Sequence, residues 1–199
     1  DKSGFRPAIV GASLGGLAGL FAAGSEDCNE ALAALVLVDI TPKMKVDGVR
    51  RIIGFMSEHS QQGFASVEEA ADAISAYLPH RPRPSDLSGL SKNLRQGDDG
   101  RLRWHWDPKF ISSRADADKH AGEVEAEGFE AARRLKIPVL LVRGCESELV
   151  GEGEVEAFIK AVPHAKFTDI AGARHLVAGD RNDVFTDALL TFFADLTWR

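Results

Sequence analysis

The sequence predicts an α/β fold in which a mostly parallel sheet carries helices on both faces. Short apolar runs of strand length alternate along the chain with segments of helical pattern, as is typical of parallel sheets. Two of the runs are apolar throughout, as expected for strands that are covered on both faces. With 44% hydrophobic residues in a chain of 199, there is enough apolar mass for one core, or for a core and a small lid.

The predicted strands differ in what surrounds them. The first stops at Gly11, and a stretch of small residues with helical character follows from Ser13 to Ala23. The last alternates apolar and polar residues, which suits a strand nearer the edge of the sheet. A closing helix is predicted over Val184–Leu196. The four strand runs are Ala8–Val10, Ala34–Val38, Ile137–Val142 and Lys166–Ile170.

Residues 41–136, between the second and third strands, contain no comparable strand run. We therefore predict a helical insertion over residues 43–134, with residues 1–42 and 135–199 forming the α/β core. Ser66 and Glu69 have the spacing of a capping box, which supports the second of its helices. The predicted helices of the insertion are Val49–Met56, Val67–Tyr77 and Ala115–Leu135.

Composition excludes several classes of protein. The formal net charge of −6 removes the broad positive field that phosphate-backbone binding needs, so nucleic acid is not an expected partner. Cys28 and Cys145 are too few for a disulfide scaffold and fit a reducing compartment, so a cytoplasmic location is predicted. No apolar run approaches the roughly 20 residues that span a bilayer, so no membrane association is expected.

Residues Gly11 to Gly15 match the pattern G-x-S-x-G between a predicted strand and a predicted helix. In that context Ser13 lies on a strained turn with its hydroxyl above the sheet, and Gly11 and Gly15 are small to avoid neighbouring backbone. The N–H of Leu14, at the amino end of the helix, would stabilise an oxyanion beside Ser13. The pattern is not G-x-G-x-x-G and has no P-loop lysine, so a dinucleotide or phosphate site is the weaker alternative.

A serine nucleophile needs a base, and the chain offers six histidines. His175 is the candidate because it follows the last predicted strand at the carboxyl edge of the sheet, where ligand sites gather. A carboxylate must then orient the imidazole. Glu148, just past the third strand, is the predicted acid, with Glu146 and Asp39 as alternatives. Asp39 also has a simpler explanation, because an Asp before Thr41 and a proline caps turns.

The turn at Ser13, the acid loop at Glu148 and the loop at His175 together resemble the carboxyl-terminal part of an α/β-hydrolase-fold serine hydrolase. The resemblance implies that residues 43–134 form a helical cap over the active site and that no cofactor is required. Glu148 departs from the Asp that is usual in that family. The resemblance also implies strands before Ala8, so we expect a further amino-terminal segment, either on the same chain or as a partner chain.

The function expected from these residues is hydrolysis of an ester or related acyl bond in a small, moderately apolar molecule. Carbon–carbon bond hydrolysis, a cofactor-free perhydrolase activity and a non-catalytic small-molecule-binding protein on the same fold are the alternatives. Trp104 and Trp106 are candidates for the substrate pocket, although packing is the simpler explanation of these rings. His105 and Asp107 lie too close in sequence to indicate a metal site without further ligands, so no metal is predicted.

Overall fold

The structure is a computed structural model that describes residues 6–26, 28, 31–109 and 117–196. The chain divides into two compact units: Asp1–Val49 together with His120–Arg199 form the first, and Arg50–Lys119 form the second. The second unit lies within the insertion that the sequence predicts. In chain order the described elements are β1 (Ala8–Ala12), α1 (Leu14–Ala23), β2 (Ala34–Val38), α2 (Val46–Glu58), α3 (Val67–Tyr77), α4 (Ser88–Ser91), β3 (Leu94–Gln96), β4 (Leu102–Trp104), α5 (Ala117–Arg133), β5 (Val139–Gly144), α6 (Glu152–Ala161), β6 (Lys166–Ile170), α7 (Val177–Asp180) and α8 (Asn182–Ala194).

Four parallel strands form the sheet of the first unit, in the order β1-β2-β5-β6. The predicted α/β class with a mostly parallel sheet is confirmed, and β6 lies at an end of the order, as its alternating pattern predicts. The strands are in step at their carboxyl ends, because Ala12 is the register partner of Val38 and Val38 of Val142. The expectation of further strands before β1 stays a prediction.

The two faces of the sheet are covered by different helices. Val36, Val142 and Phe192 belong to one buried cluster, which joins β2 and β5 to α8. On the opposite face α1 approaches the strands closely, because a Cβ at Gly19 would lie 2.9 Å from Ile9 and 3.1 Å from Leu35. Helices thus cover both faces, and β2 is buried along its whole length. This burial explains why the β2 run is apolar throughout.

A charged pair links β5 to its neighbour β6, the last strand in the order of the sheet. Arg143 and Asp169 are register partners, and the guanidinium donates two hydrogen bonds to the carboxylate at 2.6 and 2.7 Å. These hydrogen bonds raise the pKa of Arg143 above its usual range. The Arg143 side chain is only 9% exposed, and its guanidinium also lies over the ring of Phe167. A bidentate pair of this kind is stronger than a solvated surface pair.

The second unit is not purely helical, which corrects the expectation of no strands between residues 41 and 136. β3 and β4 form an antiparallel pair, and Phe64 forms a β-bridge with Leu102 through two backbone hydrogen bonds of 2.7 and 2.8 Å. Phe64 is fully buried, and the ring of Trp104 packs edge-on against it. Hydrogen bonds from Arg103 hold the pKa of Asp99, in the turn between the two strands, well below its usual range.

Helix bounds agree closely with the sequence pattern where a cap marks them. α3 begins and ends at the predicted residues, and the Ser66 hydroxyl accepts the N–H of Glu69 at 3.2 Å. The Glu69 carboxylate accepts the N–H of Ala65 rather than that of Ser66, so the capping box is only half formed. The predicted start of α5 at Ala115 lies outside the described residues. Within the part of the chain that the structure describes, no helix is both long and apolar enough to cross a membrane.

The Arg143–Asp169 pair gives a test of the sheet. Asp169→Asn removes the counter-ion of a nearly buried guanidinium, so we expect the free energy of unfolding to fall by about 1–3 kcal/mol. Asp195→Asn is the matched control, because Asp195 pairs with Lys166 where both side chains are more than half exposed. In this control variant the free energy of unfolding should fall by less than about 1 kcal/mol. Urea denaturation measures both values, and equal losses would contradict the special role of the buried pair.

Candidate active site

Ser13 occupies a strained turn between β1 and α1. Its φ of 50° and ψ of −123° lie in a region that residues other than glycine rarely adopt. The Ser13 carbonyl accepts the N–H groups of Gly16 and Leu17 at 2.9 and 3.1 Å, so the helix starts directly after the turn. Leu14 is the first residue of that helix, where N–H groups have no acceptor within the helix. The turn therefore has the local geometry that the G-x-S-x-G pattern predicts.

Close contacts explain why two residues of this turn are glycines, but the two are Gly11 and Gly16 rather than the Gly11 and Gly15 of the pattern. A Cβ at Gly11 would lie 2.5 Å from the carbonyl oxygen of Gly15, and one at Gly16 would lie 2.4 Å from the side chain of Ile40. A Cβ at Gly15 would meet no described atom within 4 Å. The expectation that Gly15 must be small to avoid backbone is therefore corrected, and Gly16 takes that role.

Asp39, the residue directly after β2, is the second strained position. Its φ is also 50°, and its side chain is completely buried. One carboxylate oxygen, Oδ1, accepts the N–H of Gly144 at 3.1 Å. The other, Oδ2, accepts the Ser147 hydroxyl at 2.6 Å and lies 2.8 Å from Nδ1 of His175. Because a carboxylate only accepts, these contacts place the His175 ring proton on Nδ1 and leave Nε2 as the basic nitrogen.

The loop that carries His175 is held by backbone contacts on both sides. Ala173 is buried and its carbonyl accepts the N–H of Glu146, while the N–H of Arg174 donates to the Asp180 carboxylate at 2.8 Å. A Cβ at Gly144 would lie 2.3 Å from the Arg174 carbonyl oxygen, so the loop lies directly on the end of β5. The His175 side chain is 11% exposed. The imidazole is thus fixed at the carboxyl edge of the sheet, as its position after β6 predicts.

The expected contact between Glu148 and His175 is not what the structure shows, and Asp39 holds the imidazole instead. The reason lies in the turn after β5, where the Ser147 hydroxyl accepts the N–H groups of Leu149 and Val150 at 3.0 Å each. This turn directs the Ser147 side chain to Asp39. The backbone carbonyl of Glu148 packs against the start of α2, where a Cβ at Gly48 would lie 2.2 Å from it.

Glu146, the other alternative acid that the sequence offers, pairs with Arg174. Its carboxylate lies 3.5 Å from Nε of Arg174, and its side chain is more than half exposed. Oε2 of Glu148 is buried and has no hydrogen-bond partner among the described residues. Of the three acids that the sequence offers, Asp39 is thus the one whose carboxylate bonds to His175.

Strand register brings Ser13 to the same edge as the Asp39–His175 pair. Ser13 and Asp39 directly follow Ala12 and Val38, which are register partners on neighbouring parallel strands. Neighbouring strands lie about 4.8 Å apart, so the two residues leave the sheet side by side. The N–H of Ser13 donates to the carbonyl of Val38 at 3.2 Å, which fixes this register up to the turn itself.

The two tryptophans that the sequence offers for a substrate pocket both lie in the second unit. Trp104 packs in the second unit against Phe64 and Phe55, with ring centroids 5.1 and 6.1 Å away, and Trp106 is half-buried in the same unit. Their assignment to a substrate pocket stays a prediction. Within the described ranges, no group of three His, Cys, Asp or Glu residues is arranged to hold a metal ion.

Sequence reasoning did not select Ser147. In the sequence, Ser147 is marked as a site residue only by lying three residues after the end of β5, and that distance does not show which way its side chain points.

Comparison with known proteins identifies the fold. No family model matches the chain. A 3-hydroxybutyrate-oligomer hydrolase of Cupriavidus necator is 25% identical over 173 residues, which cover 83% of this chain and 57% of that protein. The chain thus spans little more than half the length of this curated relative.

Among solved structures, E-2-(acetamidomethylene)succinate hydrolase matches with a TM-score of 0.80 at 20% identity, covering 97% of this chain and 68% of its own. An esterase from Mycobacterium tuberculosis matches with a TM-score of 0.70 at 23% identity, covering 94% and 60%. The chain has the α/β-hydrolase fold that such structures share.

The glycines of the turn provide a sharp test of its geometry. Gly11→Ala would force its methyl group into backbone atoms, so we expect the free energy of unfolding to fall by about 1–3 kcal/mol or more. Gly15→Ala is the matched control within the same turn, and it should leave stability unchanged or raise it by up to about 1 kcal/mol, because alanine favours helix. Chemical denaturation measures both. Equal stability of the two variants would contradict the close approach of the backbone at Gly11.

Proposed function

We propose that this chain, which has the α/β-hydrolase fold, is a serine hydrolase that cleaves an ester or related acyl bond of a small, moderately apolar molecule. Ser13 is the nucleophile, His175 the general base and Asp39 the acid that orients it. The observation that carries the proposal is the hydrogen bond between His175 and the buried carboxylate of Asp39, one strand away from a strained serine. Asp39 takes the place of Glu148 in this assignment.

Each side chain has one task in the proposed reaction. The Ser13 oxygen attacks the carbonyl carbon of the ester while Nε2 of His175 takes the hydroxyl proton. The oxyanion that forms is stabilised by the N–H of Leu14 at the positive end of α1. When the intermediate collapses, the bond to the alcohol breaks, the alcohol takes the proton from His175, and the acyl group stays on Ser13.

The second half of the reaction repeats these steps with water. His175 removes a proton from water as the water oxygen attacks the acyl carbon, and the bond to Ser13 then breaks. The proton returns to the Ser13 oxygen and the carboxylic acid leaves. Throughout, Asp39 keeps the proton of the neutral ring on Nδ1 and stabilises the imidazolium while it exists.

Hydrolysis as the reaction class is also supported by the curated relative, which is itself a hydrolase. Perhydrolase chemistry and carbon–carbon bond cleavage would use the same three side chains, and no feature of the described residues favours them over ester hydrolysis. A non-catalytic binding protein would need no oriented imidazole at the strand edge that carries the serine, whereas His175 is held within hydrogen-bond distance of a buried acid at that edge. The geometry therefore favours the enzyme.

Labelling with a fluorophosphonate tests the nucleophile. In the full-length protein we expect stoichiometric labelling at Ser13, because the oxygen of an activated serine attacks the phosphorus of the probe, forms a phosphonate ester and expels fluoride. Ser13→Ala should abolish the label, whereas Ser25→Ala should not, because the Ser25 hydroxyl donates to the carbonyl of Ala22 at the end of α1 and has no part in the proposed site. Intact mass and peptide mapping measure the result. A folded wild-type protein without label, or a label that survives Ser13→Ala, would count against the proposal.

The identity of the acid is tested by a pair of variants. Asp39→Asn removes the negative charge and presents the wrong hydrogen-bonding group to His175, so kcat should fall by about 10⁴-fold. Glu148→Gln should change kcat by less than about threefold, because Glu148 does not bond to the imidazole in the proposed site. Hydrolysis of short-chain p-nitrophenyl esters gives both values, and circular dichroism checks that each variant is folded. The opposite ranking of the two variants would return the role to Glu148.

A further inference from the structure

The Asp39 carboxylate receives a hydrogen bond that the proposed reaction does not explain. Its Oδ2 atom lies 2.8 Å from Nδ1 of His175 and also accepts the hydroxyl of Ser147 at 2.6 Å. The opposite oxygen, Oδ1, accepts only the backbone N–H of Gly144, at 3.1 Å, among the described residues. Ser147 is itself 7% exposed and lies on the loop that follows β5. The buried Ser147 hydroxyl and the His175 imidazole thus contact the same carboxylate oxygen, Oδ2 of Asp39.

The direction of the Ser147 hydroxyl is fixed by its other partners. A hydroxyl has two acceptor positions and one hydrogen. Both acceptor positions are used, because the N–H groups of Leu149 and Val150 donate to the Ser147 oxygen at 3.0 Å each. The single hydrogen is therefore left for Oδ2 of Asp39. This hydroxyl cannot turn its hydrogen away from the carboxylate without losing at least one of these two backbone hydrogen bonds.

A fixed donor matters because the carboxylate would otherwise turn. The last torsion of an aspartate side chain has broad energy minima, so burial alone does not set the plane of its carboxylate. The N–H of Gly144 holds one oxygen and the hydroxyl of Ser147 holds the other. With both oxygens held, Oδ2 faces Nδ1 of His175. Without Ser147, one of these two points of attachment is lost.

We propose that Ser147 is a positioning residue, which acts on the reaction through Asp39 by holding Oδ2 toward His175. The proposal rests on the proposed function and deepens it, since it adds a fourth side chain to the site. Ser147 touches no reacting atom. It sets the plane of the carboxylate, and the carboxylate sets the tautomer and the orientation of the imidazole.

The test compares Ser147→Ala with Ser147→Thr in the full-length protein. We expect Ser147→Ala to lower kcat on a p-nitrophenyl ester by about 10- to 100-fold, because small misplacements of catalytic groups have effects of that size. KM should change by less than about twofold, since Ser147 does not contact the substrate. Ser147→Thr keeps the hydroxyl and should restore kcat. Ser25→Ala, which removes a hydroxyl remote from Asp39, is the matched control and should leave kcat unchanged.

Proton NMR of the His175 ring gives a readout that a merely structural role would not move. The Nδ1 proton, assigned by its absence in His175→Gln, should broaden or disappear in Ser147→Ala and return in Ser147→Thr, because a carboxylate that has lost one of its two points of attachment protects this proton less well from exchange with water. A folded Ser147→Ala variant with wild-type kcat and an unchanged ring signal overturns the proposal. So does a folded Ser147→Thr variant that is as impaired as Ser147→Ala.

Two arrangements keep the test decisive. If Ser147→Ala does not fold, Ser147→Cys replaces it: the thiol is a weaker donor, so kcat should again fall, and a wild-type kcat contradicts the proposal. The ring signal is measured without substrate. If no ester is hydrolysed and Ser13 takes no label, the proposed function fails, while the signal still decides whether Ser147 holds the Asp39–His175 pair.

Discussion

The burial of one carboxylate, that of Asp39, is the constraint on which the arrangement of the site depends. A charged group with no exposed surface loses its hydration, and that cost is offset only where hydrogen bonds replace the water. Asp39 obtains these bonds from Gly144, Ser147 and His175. The donors lie at the end of β5, on the loop after it and on the loop after β6. A single side chain thus ties together the carboxyl ends of three neighbouring strands.

Backbone strain is concentrated at the same edge. Ser13 and Asp39 are the two residues other than glycine that have a positive φ among the described residues, and each directly follows a strand. Conformations of this kind cost about 1–3 kcal/mol each and persist only where the surroundings hold them. At Ser13 the start of α1 supplies that support through two hydrogen bonds to its carbonyl. At Asp39 the support comes from Val142, whose carbonyl accepts the Asp39 N–H at 2.7 Å.

The sequence predicts those parts of the fold that follow from local pattern. β2 is identified because a strand buried on both faces must be apolar throughout, and α3 because Ser66 caps it. β3 and β4 escape detection because each has only three residues and because β4 pairs with Phe64, some forty positions earlier. β3 and β4 pair with each other across a short turn, but strands of three residues are too short for their alternation to be recognised, and no local run of residues reveals the bridge between Leu102 and Phe64.

For the site residues, too, local pattern predicts their position at the sheet edge but not the orientation of their side chains. Strand ends predict that Ser13, Asp39 and His175 gather at one edge, since parallel strands in register end together. Which acid faces the imidazole depends instead on hydrogen bonds that join residues 105, 108 and 136 positions apart. Ser147, next to Glu148 in the chain, closes a turn with its hydroxyl and donates to Asp39, and no local pattern of residues shows this contact. Because those hydrogen bonds require β2, β5 and β6 to be already in register, the oriented imidazole is a property of the assembled sheet rather than of any one segment.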